Sequence, residues 1–292
     1  MLLGTWQFWW TRAHIRDGRR WGERVLAREA DLSPLGRARA LAFHSAMSFW
    51  QGDYNAALPG FVEAAQIFEQ QEDKAGIAIT DLALGLVQGF LGDFEAGSER
   101  IDRGRRLYEE MGDSFGIVGA LNALGWLQAT FGRFDESDEM IRRAIEIAQE
   151  LESQADVGLA QINLARWLLR HERVDEAIAE LRSSLDLLSS LRHHGATANV
   201  IDIVVEVAAV RRDWEGVLTL AGAAETIRGR LGAENPQPGA ERLAEVAAQA
   251  RAQLPADVAD RAWAAGCALD LDGSVDAARS LLGVADRAAQ PA

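Results

Sequence analysis

A three-residue signature returns along the chain at a constant interval. Gly52-Asp53-Tyr54 recurs as Gly92-Asp93-Phe94 and Gly132-Arg133-Phe134, with degenerate copies at Glu172-Arg173-Val174 and Arg212-Asp213-Trp214. The large apolar member thus stands at positions 54, 94, 134, 174 and 214, one fixed period apart. A sequence that repeats itself at such a period builds one supersecondary unit many times and stacks the copies. The chemistry of the triplet is that of a tight turn between two helices. Glycine suits the left-handed position just past a helix end. Aspartate accepts free N–H groups of the next helix as an N-cap. The large apolar residue then enters the gap between the helices.

Other positions keep the same phase. Nine residues before the apolar member stand Ser45, Gly85, Gly125, Ala165 and Val205; three after it stand Ala57, Gly97, Ser137, Ala177 and Val217. Seven after come Phe61, Ile101, Ile141, Leu181 and Ala221, and ten after come Ala64, Gly104, Ala144, Ser184 and Ala224. Small and large residues alternating at helical spacing mark a buried stripe, and small residues let two helices approach closely. With only 6 prolines in 292 residues, little interrupts helix formation.

The expected fold is all-α: a right-handed solenoid of five to six helix-turn-helix units with a C-terminal helical cap. A partial unit occupies 1–34, with helices at Leu3–Ala13 and Asp17–Arg28. The array proper occupies 35–231, as units at 35–74, 75–114, 115–154, 155–194 and 195–231. The stretch Leu231–Gly239, with Gly232, Pro236 and Pro238, reads as a loop that ends the array. Helices expected at 240–253, 256–268 and 273–288 form the cap over 232–292, because a terminal unit needs a different outer face. In the cap, Leu243, Val246, Ala247 and Ala250 share one apolar face, which Trp263, Cys267 and Leu271 continue. Pro59 falls inside a second helix, where it removes a donor and is expected to kink it.

These motifs resemble the tetratricopeptide repeat, whose Leu-Gly pair is matched by Leu84-Gly85 and Leu124-Gly125. The terminal stretches resemble something narrower. Phe8-Trp9-Trp10-Thr11-Arg12-Ala13-His14-Ile15 through Trp21 is similar to the entry into the repeat region of STAND-type bacterial signalling ATPases, including LuxR-type and AfsR-like regulators of actinobacteria. Leu220-Ala221-Gly222-Ala223-Ala224-Glu225 and the run Ala262–Asp272 are similar to the exit from that region. The resemblance implies a sensor or interaction role. It does not imply ATPase activity here: no Gly-x-x-x-x-Gly-Lys-Ser/Thr phosphate loop is present, and Lys74 is the sole lysine.

The formal net charge of −14 argues against direct nucleic-acid binding, which needs cations to neutralise phosphates. One cysteine, Cys267, permits no internal disulfide and fits a reducing cytosol. The apolar run Leu2–Trp10 is too short to span a bilayer, so a cytoplasmic location without a membrane partner is expected. No catalytic, metal or cofactor constellation is legible. His193-His194 lacks the i, i+4 spacing of helical metal ligands and reads as a solvated loop. Around Asp270-x-Asp272-Gly273, helix capping by Asp272 is expected rather than a calcium loop, and Cys267 reads as a buried structural thiol. His44 falls on an apolar helix face, as a core or groove residue.

What remains is a non-catalytic scaffold for a protein or peptide. First helices of such repeats line the concave wall, and residues one period apart share a position on it. The inward series Ala42, Leu82, Asn122, Ile162, Asp202; Ala46, Leu86, Trp126, Arg166, Glu206; and Trp50, Phe90, Thr130, Arg170, Val210 make a wall aromatic at one end and charged at the other. The candidate groove residues are Trp50, Phe90, Asn122, Trp126, Arg166, Arg170, Asp202 and Glu206. The aromatics either stack on an apolar ligand group or pack as core. Arg166 and Arg170 either hold a carboxylate or phosphate or bridge to Glu206 and Asp202 of the next unit. The function expected is the sensor or interaction region of a bacterial signalling or transcriptional regulator; the alternative is a free-standing adaptor, or a peptide-pheromone or small-effector receptor, that homo-oligomerises. Trp6, Trp9 and Trp10 are the expected interface, to an ATPase module or a second copy.

Overall fold

The computed structural model describes Trp9 and residues 14–28, 31–231 and 239–283. Within these the chain is all-α, with 14 helices and no strand. A first helix, α1 (Ile15–Leu26), precedes five antiparallel pairs: α2 (Pro34–Trp50) with α3 (Tyr54–Gln70), α4 (Lys74–Phe90) with α5 (Phe94–Met111), α6 (Ser114–Thr130) with α7 (Phe134–Glu150), α8 (Gln154–Arg170) with α9 (Val174–Ser190), and α10 (His194–Val210) with α11 (Trp214–Leu231). Three further helices follow, α12 (Gly239–Gln253), α13 (Ala256–Cys267) and α14 (Leu271–Gly283). The helix expected at Leu3–Ala13, the loop at 232–238 and the last turn of the helix expected at 273–288 lie outside the described residues.

The turn chemistry is more regular than the triplet suggested. Left-handed residues occur at Gly52, Glu72, Gly92, Gly112, Gly132, Glu152, Glu172, Arg192 and Arg212. Every turn, within and between repeats, therefore follows the last at one interval, half the period of the triplet. The residue that follows each is the N-cap. Asp53, Asp73, Asp93, Asp113 and Asp213 each accept the backbone N–H three residues on, at 2.9 to 3.3 Å. Only glycine takes the left-handed conformation without strain; at five of the nine turns a glutamate or arginine bears it.

The small positions do what their spacing predicts. A Cβ on Gly85 would lie 2.5 Å from the Gly97 carbonyl oxygen and from Ile101 Cγ1, so α4 and α5 touch backbone to backbone. Ser137 Oγ donates to the Gly125 carbonyl at 2.8 Å in the equivalent contact of α6 and α7. The phased positions are buried throughout, including Ala57, Ile101, Ile141, Ala165, Leu181 and Val205. The helix α3 continues through Pro59, which is exposed near its N-terminal end.

First helices of successive repeats pack directly on one another far more extensively than second helices do. The array therefore curves with α2, α4, α6, α8 and α10 on its inner side. The cap helices close the far end: α13 packs on α11, and α14 folds back across α9, α10 and α11. There Arg211 Nη1 donates to the Leu281 carbonyl at 2.9 Å, and Arg182 donates to the Leu282 carbonyl, both cations meeting the negative end of α14. Val246 and Ala250 are buried, with Leu243, Ala247 and Trp263 packed at the edge of the core, as the shared apolar face predicts.

Three local expectations are corrected. His193 is not solvated: it is 5% exposed and caps α10, its Nδ1 accepting the Ala196 N–H at 3.3 Å. Asp270, not Asp272, caps α14, accepting the Gly273 N–H at 2.8 Å, because the helix starts at Leu271. Cys267 is half-buried, its thiol 3.7 Å from the Gly222 carbonyl. His44 is half-buried on α2, facing Gly22 of α1, and burial lowers its pKa.

The capping role of His193 requires its neutral form, and burial pushes its pKa down to about 4 from 6.5. Between these values the unfolded chain binds a proton that the folded chain refuses. Stability conferred by this group is therefore full above pH 6.5 and falls as pH drops toward 4, by about 3 kcal/mol in all. The His193→Asp variant installs the cap used at five other turns. In urea unfolding at pH 7.5 and pH 5, wild type is expected to lose about 2 kcal/mol more than the variant. Equal losses would show that His193 does not titrate with folding.

Candidate ligand groove

The inner wall begins with a cluster of rings drawn from three repeats. Phe49, buried on α2, contacts Trp50 at 5.2 Å, Phe90 at 6.0 Å and Trp126 at 6.4 Å between ring centres, and Phe90 meets Trp126 at 4.8 Å. Tyr54 stacks on Phe90 at 5.2 Å. Trp50, Phe90 and Trp126 are each half-buried, so they join repeats together and also present ring surface to the groove. Beside them, the paired alanines Ala42 and Ala46 open an apolar cleft of about 100 Å³ against Phe49, Trp50, Phe61 and Leu86.

In the middle of the wall, Asn163 Nδ2 donates to Asn122 Oδ1 at 2.7 Å across the α6–α8 seam. Beyond it lies the charged end. Asp202 is buried on α10, and Arg228 of α11 holds both its oxygens, the Nη1–Oδ1 bond being 2.7 Å; Asn199 accepts from the same guanidinium at 3.3 Å. Burial raises the Asp202 pKa against the lowering pull of Arg228. Glu206 pairs with Arg242 of α12 at 3.5 Å.

The expected bridges from Arg166 and Arg170 to Asp202 and Glu206 are not formed: those carboxylates are satisfied from α11 and α12 instead. Arg166 and Arg170 make no hydrogen bond or ion pair among the described residues. Arg166 is partly buried, and burial holds its guanidinium below the ordinary arginine range, with Glu206 and Asp202 opposing that shift. Arg170 is exposed one turn further on. Two cations without a direct hydrogen bond or ion pair among the described residues thus stand on the inner wall of a chain whose net charge is −14, Arg166 within the field of Glu206 and Asp202.

The repeat phase did not reveal Arg228 or Arg242, which reach the wall from helices outside the inward series. It also passed over Asp81, fully buried on α4, where Arg103 grips it through Nε at 2.6 Å and Nη2 at 2.5 Å and Arg100 adds 3.3 Å. A signal existed: its equivalents are Leu41, Leu121, Gln161 and Ile201, so an acid in that phase demands a cation nearby. Of the N-terminal tryptophans, Trp9 packs edge-on against Phe43 at 6.3 Å, and Trp6 and Trp10 lie outside the described residues. Among the described residues no cluster of histidine, cysteine or acids is placed to hold a metal ion. No helix there is long and apolar enough to cross a membrane.

Stacked helix pairs with first helices inside define a tetratricopeptide-like α-solenoid. Solved structures share this architecture. A Rap protein in complex with competence and sporulation factor is similar over 90% of this chain and 80% of its own, with a TM-score of 0.63 and 10% identity. BtubC (BKLC) from P. vanneervenii matches over 78% and 93%, with a TM-score of 0.52 and 16% identity. The apo form of RapI matches over 89% and 79%, with a TM-score of 0.51 and 11% identity. At these identities the likeness is one of fold. No protein-family model matches the chain, and neither does any curated protein.

The Asp202–Arg228 pair is the electrostatic anchor of the charged end. Arg228→Leu leaves a buried carboxylate without its main partner and is expected to cost about 3–5 kcal/mol. Adding Asp202→Ile, the residue type of the equivalent Ile162, is expected to recover most of that loss. Chemical denaturation of both variants checks this; a double variant no more stable than Arg228→Leu alone would contradict it.

Proposed function

We propose that the chain is a non-catalytic scaffold that holds a peptide or an extended protein segment along its concave wall. The observation that carries this reading is the pair Arg166 and Arg170, neither making a direct hydrogen bond or ion pair among the described residues, on the same wall as the rings of Trp50, Phe90 and Trp126. An apolar ligand residue packs at the aromatic end, a carboxylate takes bidentate hydrogen bonds from the arginines, and Asn122 meets the backbone between them. Repeats about 10 Å apart put Trp50 and Arg170 about 30 Å from each other, the reach of about nine extended residues. The likeness in fold to a Rap protein solved in complex with competence and sporulation factor supports a bound effector. A receptor or adaptor that works alone is one setting for such a groove. The sensor arm of a signalling ATPase-type regulator, with Trp6, Trp9 and Trp10 at its seam or at a homodimer contact, is the other, and the terminal segments' resemblance supports it.

The test uses a pool of fluorescein-labelled nonapeptides with leucine or tryptophan near one end and aspartate or glutamate near the other. Fluorescence anisotropy is expected to select binders whose affinity drops at least about ten-fold in Arg166→Ala/Arg170→Ala and falls with added salt. Binding that ignores both changes would place the ligand elsewhere.

A further inference from the structure

In the first three repeats the aromatic after the turn is covered by a ring from the end of the next first helix. Tyr54 meets Phe90 at 5.2 Å, Phe94 meets Phe131 at 5.3 Å, and Phe134 meets His171 at 5.7 Å. The fourth repeat carries Val174 in place of an aromatic residue, and the last repeat restores one, Trp214. Trp214 has no ring contact among the described residues, because the helix that comes next in space is α12, which presents Gln249 and Gln253 one turn apart. Where a covering ring would sit there is a cavity of about 350 Å³.

Its walls combine three chemistries. Trp214 is half-buried, and Val210, 58% exposed, adds an apolar surface. Gln249 and Gln253 bring carboxamides that make no hydrogen bond among the described residues. Arg212 brings a guanidinium with no hydrogen bond or ion pair among them. Val210 occupies the inner-wall position of Trp50, Phe90, Thr130 and Arg170, so the cavity ends the groove.

We infer that this cavity is a binding site for an N-acyl amino-acid group: a carboxylate next to an amide on an aliphatic body. Arg212 takes the carboxylate by paired charge-assisted hydrogen bonds. The two glutamines pair with the amide, whose N–H and C=O match their own. The aliphatic body covers the free face of Trp214. The same group is offered by the C-terminal residue of a peptide and by a free acylated amino acid. The inference deepens the groove reading by giving the ligand an end, but the site needs no groove-bound segment.

The experiment titrates N-acetyl-leucine and N-acetyl-leucinamide into the full chain, following the Trp214 indole and the Gln249 and Gln253 side-chain amides by NMR. The acid is expected to shift these signals and the amide to bind at least about ten-fold more weakly. Arg212 holds a left-handed φ of 58°, where three other repeats place glycine, so Arg212→Gly is expected to melt no lower than wild type while losing the preference for the acid. Absence of shifts at these residues, equal binding of acid and amide, or a preference that survives Arg212→Gly would each overturn the site. A nonapeptide ending in leucine that binds more tightly than N-acetyl-leucine assigns the site to a peptide terminus, and equal affinities assign it to a small effector. Shifts from N-acetyl-leucine together with failure of every groove peptide would uphold the cavity and sink the groove reading.

Discussion

Everything in this molecule depends on one constraint: nine successive turns, from Gly52 to Arg212, recur at a single fixed interval. The helices α2, α3, α4 and α6 to α10 are all of equal length. Every connection between them is a left-handed residue followed by a cap. An α-helix turns about 100° per residue, so equal helices joined by equal turns return each side chain to the same direction two helices later. That is why residues one period apart share a wall, and why a substitution series along the chain becomes a row of side chains in space. A longer or shorter turn would rotate all later helices out of that row.

The register is enforced by close approach. Gly85 and Gly97 meet backbone to backbone, and the equivalent pair Gly125 and Ser137 adds a hydrogen bond at the same point. Such contacts admit no larger side chain, so they penalise slipped pairings as well as stabilising the correct one. Between repeats the seam is made of large residues against small ones, Phe68 against Gly76 and Tyr108 against Gly116, and within a repeat Leu188 packs on Gly158 in the same way. The aromatic residues after the turns complete this seam, Tyr54 bridging Phe49 of its own repeat and Phe90 of the next.

The parts legible in the sequence are those governed by this phase. Helix order, the buried stripe and the close contacts all follow from residue spacing. The parts that were not legible depend on side-chain reach between phases. Spacing pairs Asp202 with Arg166 on the adjacent repeat, yet Arg228 holds it from the second helix of its own repeat. His193 looked like a polar loop residue because histidine rarely caps, but it fills a cap position whose other occupants are mostly aspartates. The shorter period, at half the length, is written in Asp53, Asp73, Asp93 and Asp113, beside the stronger signal of the triplet. The cavity at Trp214 follows from what the next helix lacks, and a repeat pattern describes only what is present.

The most direct test of this account is to remove one whole repeat and measure unfolding. Deleting residues 75–114 joins Lys74 to Phe115, so that Asp73 caps at Gly116 and Phe68 meets Gly116 where Tyr108 did. Equal registers predict unchanged helicity per residue by circular dichroism and a single cooperative unfolding transition. Loss of helicity beyond the deleted segment, or a broad non-cooperative transition, would contradict the claim that one repeated register builds this fold.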